Sequence, residues 1–247
     1  MLLRDGIADR LPTGRRALVV TPNVDHIVHL AHDGDAVVDR LVDSAAWVVP
    51  DGQPVVWASR LLGTPLAARI AGSTVVSELW PRLLAAGRRV LVVAANERTA
   101  SLVAADTGDT ASSIVAPFID PNDRPAFEAF VERCVSAILD TGAEYVFVAI
   151  GFPRREHLIA ALFDRLPADG RCPIVLAVGA SFEMHYGFVR RAPQWVQRIG
   201  MEWLYRFVQE PRRLFRRYFV DDTRFASVVW REWRRRRHDG DVRRWPV

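Results

Sequence analysis

Residues 145–178 read YVFVAIGFPRREHLIAALFDRLPADGRCPIVLAV, and this stretch decides the fold class. Its two ends, Tyr145–Ile150 and Ile174–Val178, are short apolar runs rich in β-branched residues, with little polar alternation. Such runs are typical of strands that are covered on both faces of a parallel sheet. The segment between them, Arg154–Leu166, has the length and pattern of a helix. The stretch therefore predicts a strand, a helix and a second strand in succession.

The same alternation of strands and helices runs through the chain before this stretch. The other predicted strands are Ala17–Val20, Ala46–Val49, Arg89–Ala95 and Ser113–Ala116, and the other predicted helices are Val24–Ala31, Gln53–Leu62, Thr74–Ala86, Arg98–Ala105 and Asp123–Asp140. Repeated βα units predict an α/β fold with a Rossmann-like, largely parallel sheet that is flanked by helices.

The pattern after Val178 is helical only, which predicts a C-terminal helical appendage. Its predicted helices are Trp195–Glu210, Arg212–Phe219 and Thr223–Arg234, and we expect the end from Arg234 onward to be frayed. The sequence therefore predicts two parts, a Rossmann-like α/β domain over 1–192 and an Arg-rich helical appendage over 193–247.

The net charge of +4 hides an asymmetry between the two ends of the chain. Residues 190–247 carry 16 arginines against 7 acidic residues, a balance of +9, which leaves −5 for residues 1–189. The absence of lysine is typical of a GC-rich genome, but codon bias does not segregate charge. In the predicted helix Arg212–Phe219 the arginines lie on one arc and the large apolar side chains on the other. This end of the chain is therefore expected to meet an anionic partner, which could be phospholipid, nucleic acid or a phosphorylated substrate.

Several classes of protein are disfavoured by what the sequence lacks. Cys134 and Cys172 have neither metal-type spacing nor the density of a disulfide scaffold, which favours a reduced, cytoplasmic setting. No stretch resembles a signal peptide or a membrane span, so we expect a protein that is soluble or peripheral to a membrane. The glycine-rich nucleotide motifs and the nucleophile elbow are also absent, which argues against a dehydrogenase, an NTPase and an α/β-hydrolase.

Metal-binding patterns in the sequence are weak. Asp33–Asp35 and Asp239–Asp241 both match a D-x-D pattern, but the first lies in a predicted loop and the second in the expected frayed end. His26 and His29 share a helix face without a third ligand. No metal site is therefore predicted.

Four predicted strand ends carry polar and glycine residues. They are Thr21–Asp25, Pro50–Gly52, Gly151–Glu156 and Gly179–Ser181. Each alone is explained as a turn with a helix cap. Because the carboxyl ends of parallel strands meet at one edge of a sheet, the four together predict a binding cleft at that edge.

Asp51 is the first candidate for acid–base chemistry at this edge. It follows a predicted strand and precedes Gly52, and a carboxylate there can accept a proton from an attacking hydroxyl. Its alternative role is to cap the helix that begins at Gln53. Asp25 and Asp33 are weaker candidates, since both lie on or past the first helix.

Three arginines at the strand ends are candidates for phosphate binding. Arg69, Arg154 and Arg155 could each pair with phosphate oxygens, and the last two open a helix whose free N–H groups favour anions. The alternative for each is a solvated surface residue. Glu156 could hold a sugar hydroxyl or simply favour the helix N-terminus.

From about Val19 to Tyr218 the chain resembles the WecG/TagA/CpsF family of bacterial glycosyltransferases. The matching pieces are Thr21–Asn23, Pro50–Gly52, Arg69–Gly72, Gly151–Glu156, Val178–Ala180, Arg191–Pro193, Glu202–Arg206 and Glu210–Arg213. Each piece is short, but their order and spacing together are highly specific.

The resemblance implies an inverting transfer of a sugar from a UDP-sugar, of the hexose or N-acetylmannosamine type. The acceptor would be linked to polyprenyl diphosphate, in the synthesis of a cell-surface polysaccharide or other glycopolymer, without an obligatory metal or other cofactor. It makes Asp51 the catalytic base. It also implies donor binding by the strand-end set of Thr21, Asn23, Gly52, Arg69, Gly72, Gly151, Pro153, Arg154, Arg155, Glu156 and Gly179.

The resemblance also implies that the C-terminal helices dock on an anionic membrane surface, at the cytoplasmic face of the cell membrane. Arginines there would neutralise the leaving diphosphate; they are Arg206, Arg212, Arg213, Arg216 and Arg217. Two positions differ from the family pattern: Arg155 stands where glutamine is common, and Thr74 where aspartate is common. Both lie near the expected donor site, and they leave the identity of the sugar open.

Two other functions remain as alternatives. A nucleic-acid-binding protein would use the Arg-rich end, although the segregation of its aromatic residues from its arginines argues against this. A catalytically weakened member of the same family would serve as a scaffold, an alternative motivated by Arg155 and Thr74. Self-association into a homo-oligomer is left open by the sequence.

Overall fold

The computed structural model describes residues 16–108, 110–118, 123–166, 172–188, 193, 196, 202–209 and 222–239. The chain divides into two compact units. The first unit comprises residues 1–21, 36–48 and 72–189, and the second comprises 22–35, 49–71 and 190–247. The second unit thus combines the C-terminal residues with two segments that follow the first and second strands in the chain.

The first unit contains a six-stranded parallel sheet. Its strands are β1 (Arg16–Val20), β2 (Ala45–Val48), β3 (Val90–Ala94), β4 (Ala111–Val115), β5 (Tyr145–Ala149) and β6 (Ile174–Ala177), in the spatial order β2-β1-β6-β5-β3-β4. β5 and β6 pair in parallel, with Tyr145 opposite Ile174. The predicted α/β fold with a parallel, Rossmann-like sheet is therefore confirmed.

The helices surround this sheet or belong to the second unit. They are α1 (Val24–His32), α2 (Ala36–Ser44), α3 (Gln53–Leu61), α4 (Gly72–Ala85), α5 (Glu97–Thr107), α6 (Arg124–Thr141), α7 (Arg154–Arg165), α8 (Ser181–His185), α9 (Glu202–Gln209) and α10 (Asp222–Asp239). The predicted helices that fall on described residues are present, with ends shifted by a few residues. The predicted helix Arg212–Phe219 lies outside the described residues.

Three features differ from the sequence prediction: helix α2, the short helix α8 and the end of α10. Helix α2 was not predicted, because only Val38 and Leu41 are buried in it and it runs into β2 without a glycine or proline between them. The expected fraying from Arg234 onward is wrong, since α10 continues to Asp239. Arg236 stabilises this end: it donates from Nε to Glu232 at 2.7 Å, one helical turn earlier.

The core of the first unit is built from the strand residues on one face of the sheet and the helices that cover them. Val146, Val148 and Val175 are fully buried among Ile159 and Leu162 of α7. Burying one such side chain stabilises a fold by roughly 1.5–3 kcal/mol. This packing holds the strand ends at fixed positions.

Three aromatic rings pack edge to face within the first unit. The ring centroids of Trp80 and Phe182 lie 5.0 Å apart, and those of Phe147 and Phe182 lie 5.5 Å apart. Asp106 accepts hydrogen bonds from Trp80 Nε1 at 3.0 Å and from the Tyr186 hydroxyl at 3.3 Å. Burial raises the pKa of Tyr186, and the neighbouring Asp106 raises it further. The contacts fix α8, which follows β6, against α4 and α5.

The second unit has a small core of its own. Val24 and Val28 of α1 pack with Phe225 of α10, and Val55 of α3 lies against them. No helix among the described residues is both long and apolar enough to cross a membrane. The predicted division of the chain at residues 192 and 193 stays a prediction.

Candidate active site at the carboxyl edge of the sheet

In the first unit, β1, β6 and α4 meet closely where the two strands end. Thr21 follows β1, is buried, and donates from Oγ1 to the carbonyl oxygen of Ala177 at 3.0 Å. A Cβ atom at Gly72 would lie 2.8 Å from Ser181 Oγ and 3.1 Å from the carbonyl oxygen of Val178. Glycine is therefore required where α4 begins. The structure brings together the predicted residues Thr21 and Gly72 at this edge.

Arg155 and Glu156 lie buried in the first turn of α7. Nε and Nη2 of Arg155 donate to the same Glu156 oxygen, at 2.9 Å and 2.5 Å. Gly179, with φ of +57°, packs so closely on this guanidinium that a Cβ atom there would lie 3.0 Å from Nη1. The alternative of Arg155 as a solvated surface residue is therefore wrong. The pair joins the segment after β5 to the segment after β6.

The remaining predicted residues after β5 form the start of α7. Pro153 occupies the N-cap position, after a cis peptide bond with Phe152. The carbonyl oxygen of Gly151 accepts the Arg155 N–H at 3.1 Å. Arg154 is half-buried, and its guanidinium carbon lies 5.0 Å from the centroid of the Phe118 ring.

An aromatic cleft of about 90 Å³ opens beside Arg154 in the first unit. It is lined by Ala95, Ala116, Pro117, Phe118, Phe127, Phe130, Ile150, Arg154, His157 and Leu158. These residues follow β3, β4 and β5 or lie on α6 and α7, so the cleft belongs to the same carboxyl edge. Sequence reasoning missed the cleft. The available signal was the pair Pro117-Phe118 directly after a strand, together with two phenylalanines three residues apart on a helix.

In the second unit, backbone hydrogen bonds join three of the predicted segments. The Asp51 N–H donates to the carbonyl oxygen of Pro22 at 2.9 Å, and the Ile70 N–H donates to that of Pro50 at 2.9 Å. Asp51, Asn23 and Arg69 are therefore held on neighbouring stretches of chain. The structure brings together the predicted base and two of the predicted donor-binding residues.

Asn23 and Gly52 both stand at the start of a helix. The Asn23 side-chain oxygen accepts from the N–H groups of Asp25 and His26, so Asn23 caps α1. Gly52 occupies the N-cap position of α3 with φ of +105°, a conformation that favours glycine. Gly52, not Asp51, therefore stands at the N-cap position of this helix, and Asp51 is half-buried directly before it.

The D-x-D segment after α1 forms a loop, as predicted. His29 Nδ1 lies 2.6 Å from Asp33 and Nε2 lies 3.5 Å from Asp35. Among the described residues, no group of three or more histidines, cysteines or acidic residues could hold a metal ion.

Burial raises the pKa of the Cys134 thiol to about 12, so this thiol is a core group and a poor nucleophile.

Of the predicted C-terminal arginines, Arg206 lies on α9, and Arg212, Arg213, Arg216 and Arg217 fall outside the described residues. The nearby helix α10 shows a pattern that the sequence did not predict. Arg234 stacks on Trp230 at 4.7 Å and Arg237 stacks on Trp233 at 3.9 Å. Aromatic and arginine side chains therefore alternate on α10, and the predicted segregation of the two is wrong for this helix.

The amino-acid sequence matches the profile of a known family. The sequence profile described as the glycosyl transferase WecG/TagA/CpsF family matches residues 3–239. This range includes every predicted site residue.

Curated proteins named N-acetylglucosaminyldiphosphoundecaprenol N-acetyl-beta-D-mannosaminyltransferase are similar to the chain. The chain is 29% identical to the protein from Bacillus spizizenii over 176 aligned residues. This alignment covers 71% of the chain and 65% of that protein. Identity is 28% over 195 residues to the one from Bacillus subtilis, covering 78% and 71%. For the one from Staphylococcus aureus, identity is 27% over 202 residues, covering 80% and 74%. The matched region spans slightly less than two thirds of the Bacillus spizizenii protein.

Proposed function

The chain belongs to the WecG/TagA/CpsF family of glycosyl transferases, and on that premise we propose that it transfers a sugar from a UDP-sugar to an acceptor linked to polyprenyl diphosphate. The sugar is of the N-acetylmannosamine or hexose type, and the product is a precursor of a cell-surface glycopolymer. The names of the similar curated proteins support an acceptor of this class. The observation that carries the proposal is the hydrogen-bonded placement of Asp51 beside the segments of Asn23 and Arg69.

Asp51 acts as the general base of an inverting displacement. Its carboxylate takes the proton of the acceptor hydroxyl while that oxygen bonds to the anomeric carbon of the donor sugar. The bond between the anomeric carbon and the diphosphate oxygen breaks, and UDP leaves with the electron pair. Asp51 stands directly before Gly52, which occupies the N-cap position of α3, and its backbone is held to the segment that follows β1.

Arginines supply the positive charge that the departing diphosphate needs. Arg69 stands on the segment that is hydrogen-bonded to Pro50, and Arg154 lies at the aromatic cleft. The C-terminal arginines add to them, and a guanidinium pairs well with phosphate oxygens. We expect this charge to replace a divalent metal, so that turnover continues in a chelator.

The aromatic cleft receives the base of the nucleotide. Phe118 offers an exposed ring and Arg154 a guanidinium stacked on it, and His157 adds a polar group at the wall. An apolar cleft with a few polar groups is the ordinary form of a small-molecule site. The base would stack on such a surface with about 1–3 kcal/mol of binding free energy.

The C-terminal helices dock on an anionic membrane surface at the cytoplasmic face, where a lipid-linked acceptor would be found. The exposed arginines of α10 support this part of the proposal, because guanidinium groups bind phosphate head groups. The alternation of tryptophan and arginine on α10 also suits single-stranded nucleic acid, which is the second candidate. Steeply salt-dependent RNA binding, with no preference for anionic vesicles, would favour that candidate.

The test is a UDP-release assay with a panel of UDP-hexoses and UDP-N-acetylhexosamines and a short-chain polyprenyl-diphosphate saccharide, in a chelator and with anionic lipid. Acceptor-dependent release from one donor is expected. The variant Asp51→Asn should lower the turnover rate by a factor of about 10² to 10⁴, which is the rate acceleration that a general base usually supplies. Asp25→Asn tests the rival carboxylate and Asp140→Asn, exposed on α6, is the control. Near-normal turnover in Asp51→Asn would remove Asp51 as the base.

A further inference from the structure

Helix α3 carries two apolar faces, and the described core of the second unit uses one of them. Val55 and Ala58 pack against the cluster formed by α1 and α10. Trp57 and Leu61 lie one turn apart on a different arc and are exposed, at 48% and 62%. Leu66, in the loop that follows, is 37% exposed. Large apolar side chains that stay exposed in one place mark an interaction surface.

A cationic segment adjoins this apolar surface. Arg236 of α10 donates from Nη1 to the carbonyl oxygen of Leu62 at 2.9 Å, at the end of α3. The contact places Arg236 at the end of α3, next to the residue that follows Leu61 in the chain. Three more arginines of these turns, Arg234, Arg235 and Arg237, are exposed. The end of α3 therefore combines exposed apolar side chains with the guanidinium group of Arg236, and three more exposed arginines lie on the same turns of α10.

We propose that this surface, the end of α3 with the last two turns of α10, binds an anionic phospholipid surface. Trp57, Leu61 and Leu66 enter the boundary between head groups and acyl chains, and the arginines of α10 contact the phosphates. Tryptophan is enriched at that boundary, and binding there scales with buried apolar area plus charge attraction. The inference rests on the membrane docking of the C-terminal helices in the proposed function, and it extends that contact to a segment near residue 60 that the proposed function does not use.

The charge and the side-chain types favour lipid over other partners. A second copy of the chain would bring the same arginines against themselves, which is unfavourable. A nucleic acid would pair with the arginines, but it offers little to two exposed leucines. An anionic lipid surface satisfies both the apolar and the cationic groups.

The test measures binding of the full chain to vesicles by sedimentation. One set contains equal amounts of phosphatidylglycerol and phosphatidylcholine, and the other contains phosphatidylcholine alone. The double variant Trp57→Gln, Leu61→Gln should lower partitioning onto the anionic vesicles by about tenfold or more, from the loss of inserted apolar area. The matched control Leu139→Gln removes an apolar side chain that is 53% exposed on α6 and should bind like the wild type.

Two further measurements separate the possible outcomes. Circular dichroism checks that the double variant is folded, and UDP release with a short-chain, water-soluble acceptor should stay at the wild-type rate. Loss of vesicle binding with that rate retained supports the lipid surface, even if the identity of the sugar is wrong. Unchanged vesicle binding in the folded double variant overturns the proposal. So does a concentration-dependent dimer that the double variant loses while vesicle binding persists, since the face would then join two copies.

Discussion

Arg155 and Glu156, adjacent in sequence, form a buried ion pair in which two guanidinium nitrogens donate to one carboxylate oxygen. The two residues retain 4% and 1% of their accessible surface. Neighbours on a helix rarely face each other. Here the two side chains meet, and the Arg155 guanidinium lies close to the backbone of Gly179. The pair therefore connects the segments that follow β5 and β6.

Breaking this pair from one side should destabilise the protein. Glu156→Gln leaves a buried guanidinium without its carboxylate, and the loss of one partner of a buried pair costs about 3–5 kcal/mol. Arg155→Gln should cost a similar amount, and the double variant should cost less than the sum of the two. The free energy of unfolding from urea denaturation measures each change.

The matched control for this prediction is Arg82→Gln. Arg82 pairs with Glu78 at 2.9 Å on α4, and both side chains are about half exposed. Such a surface pair contributes about 0–1 kcal/mol. A change in Glu156→Gln no larger than that in Arg82→Gln would show that the buried pair does not hold the site together.

The junction at Gly72 should tolerate no side chain. Gly72→Ala places a methyl group 2.8 Å from Ser181 Oγ and 3.1 Å from the Val178 carbonyl oxygen, so the start of α4 must move. Such overpacking costs about 1–3 kcal/mol. Gly151→Ala is the control, since no atom lies within 4 Å of the added carbon. The melting temperature should fall in the first variant only. Adding Ser181→Ala should recover part of the loss, because the nearest contact is then removed.

The aromatic cleft predicts a split between the kinetic constants. Phe118 is 91% exposed, so Phe118→Ala should leave stability unchanged. If its ring stacks on the base of the donor, its loss removes about 1–3 kcal/mol of binding and raises the KM for the nucleotide sugar roughly 5- to 150-fold. The kcat should change little, since the cleft is not where bonds break. Leu139→Ala, exposed on α6, serves as the control, and an unchanged KM in Phe118→Ala would assign the base to another place.

Much of the fold could be predicted from the sequence because its signals are local. Apolar runs such as Tyr145–Ile150 indicate strands covered on both faces, and parallel strands place their carboxyl ends at one edge. The meeting of the Thr21 and Gly179 segments at this edge follows from that geometry. Strand order does not, because it depends on which helices pack across the sheet.

The details of the site depend on contacts between distant residues. The residues next to Arg155 in the sequence are consistent with a surface arginine. Only its closeness to Gly179 and its ion pair with Glu156 in the structure show that it is buried. Phe118 follows β4 and Phe130 lies on α6, so the cleft that they line has no continuous motif in the sequence. The end of α10 reads as a frayed basic run, yet Arg236 binds the end of α3. In each case the deciding partner lies far along the chain or on another element.

The C-terminal end of α10 should become less stable in acid. Hydrogen bonding from Arg236 lowers the pKa of Glu232, and Arg235 lowers it further. A carboxyl group with a lowered folded-state pKa contributes stability that is full above its unfolded pKa and lost as the pH falls through the folded one. At pH 7, Glu232→Gln should therefore unfold at a lower temperature than the wild type. The expected difference in the free energy of unfolding is about 0.2–1 kcal/mol, the contribution of an ion pair at the surface. The difference in the free energy of unfolding should begin to shrink as the pH falls through the unfolded pKa of about 4.3. It should vanish only below the lowered folded-state pKa, where the carboxyl group is protonated in both states. Thermal unfolding followed by circular dichroism across this range measures the gap, with Glu97→Gln on α5 as the control. A gap that persists undiminished to pH 3 would show that Glu232 acts through packing and not through its charge.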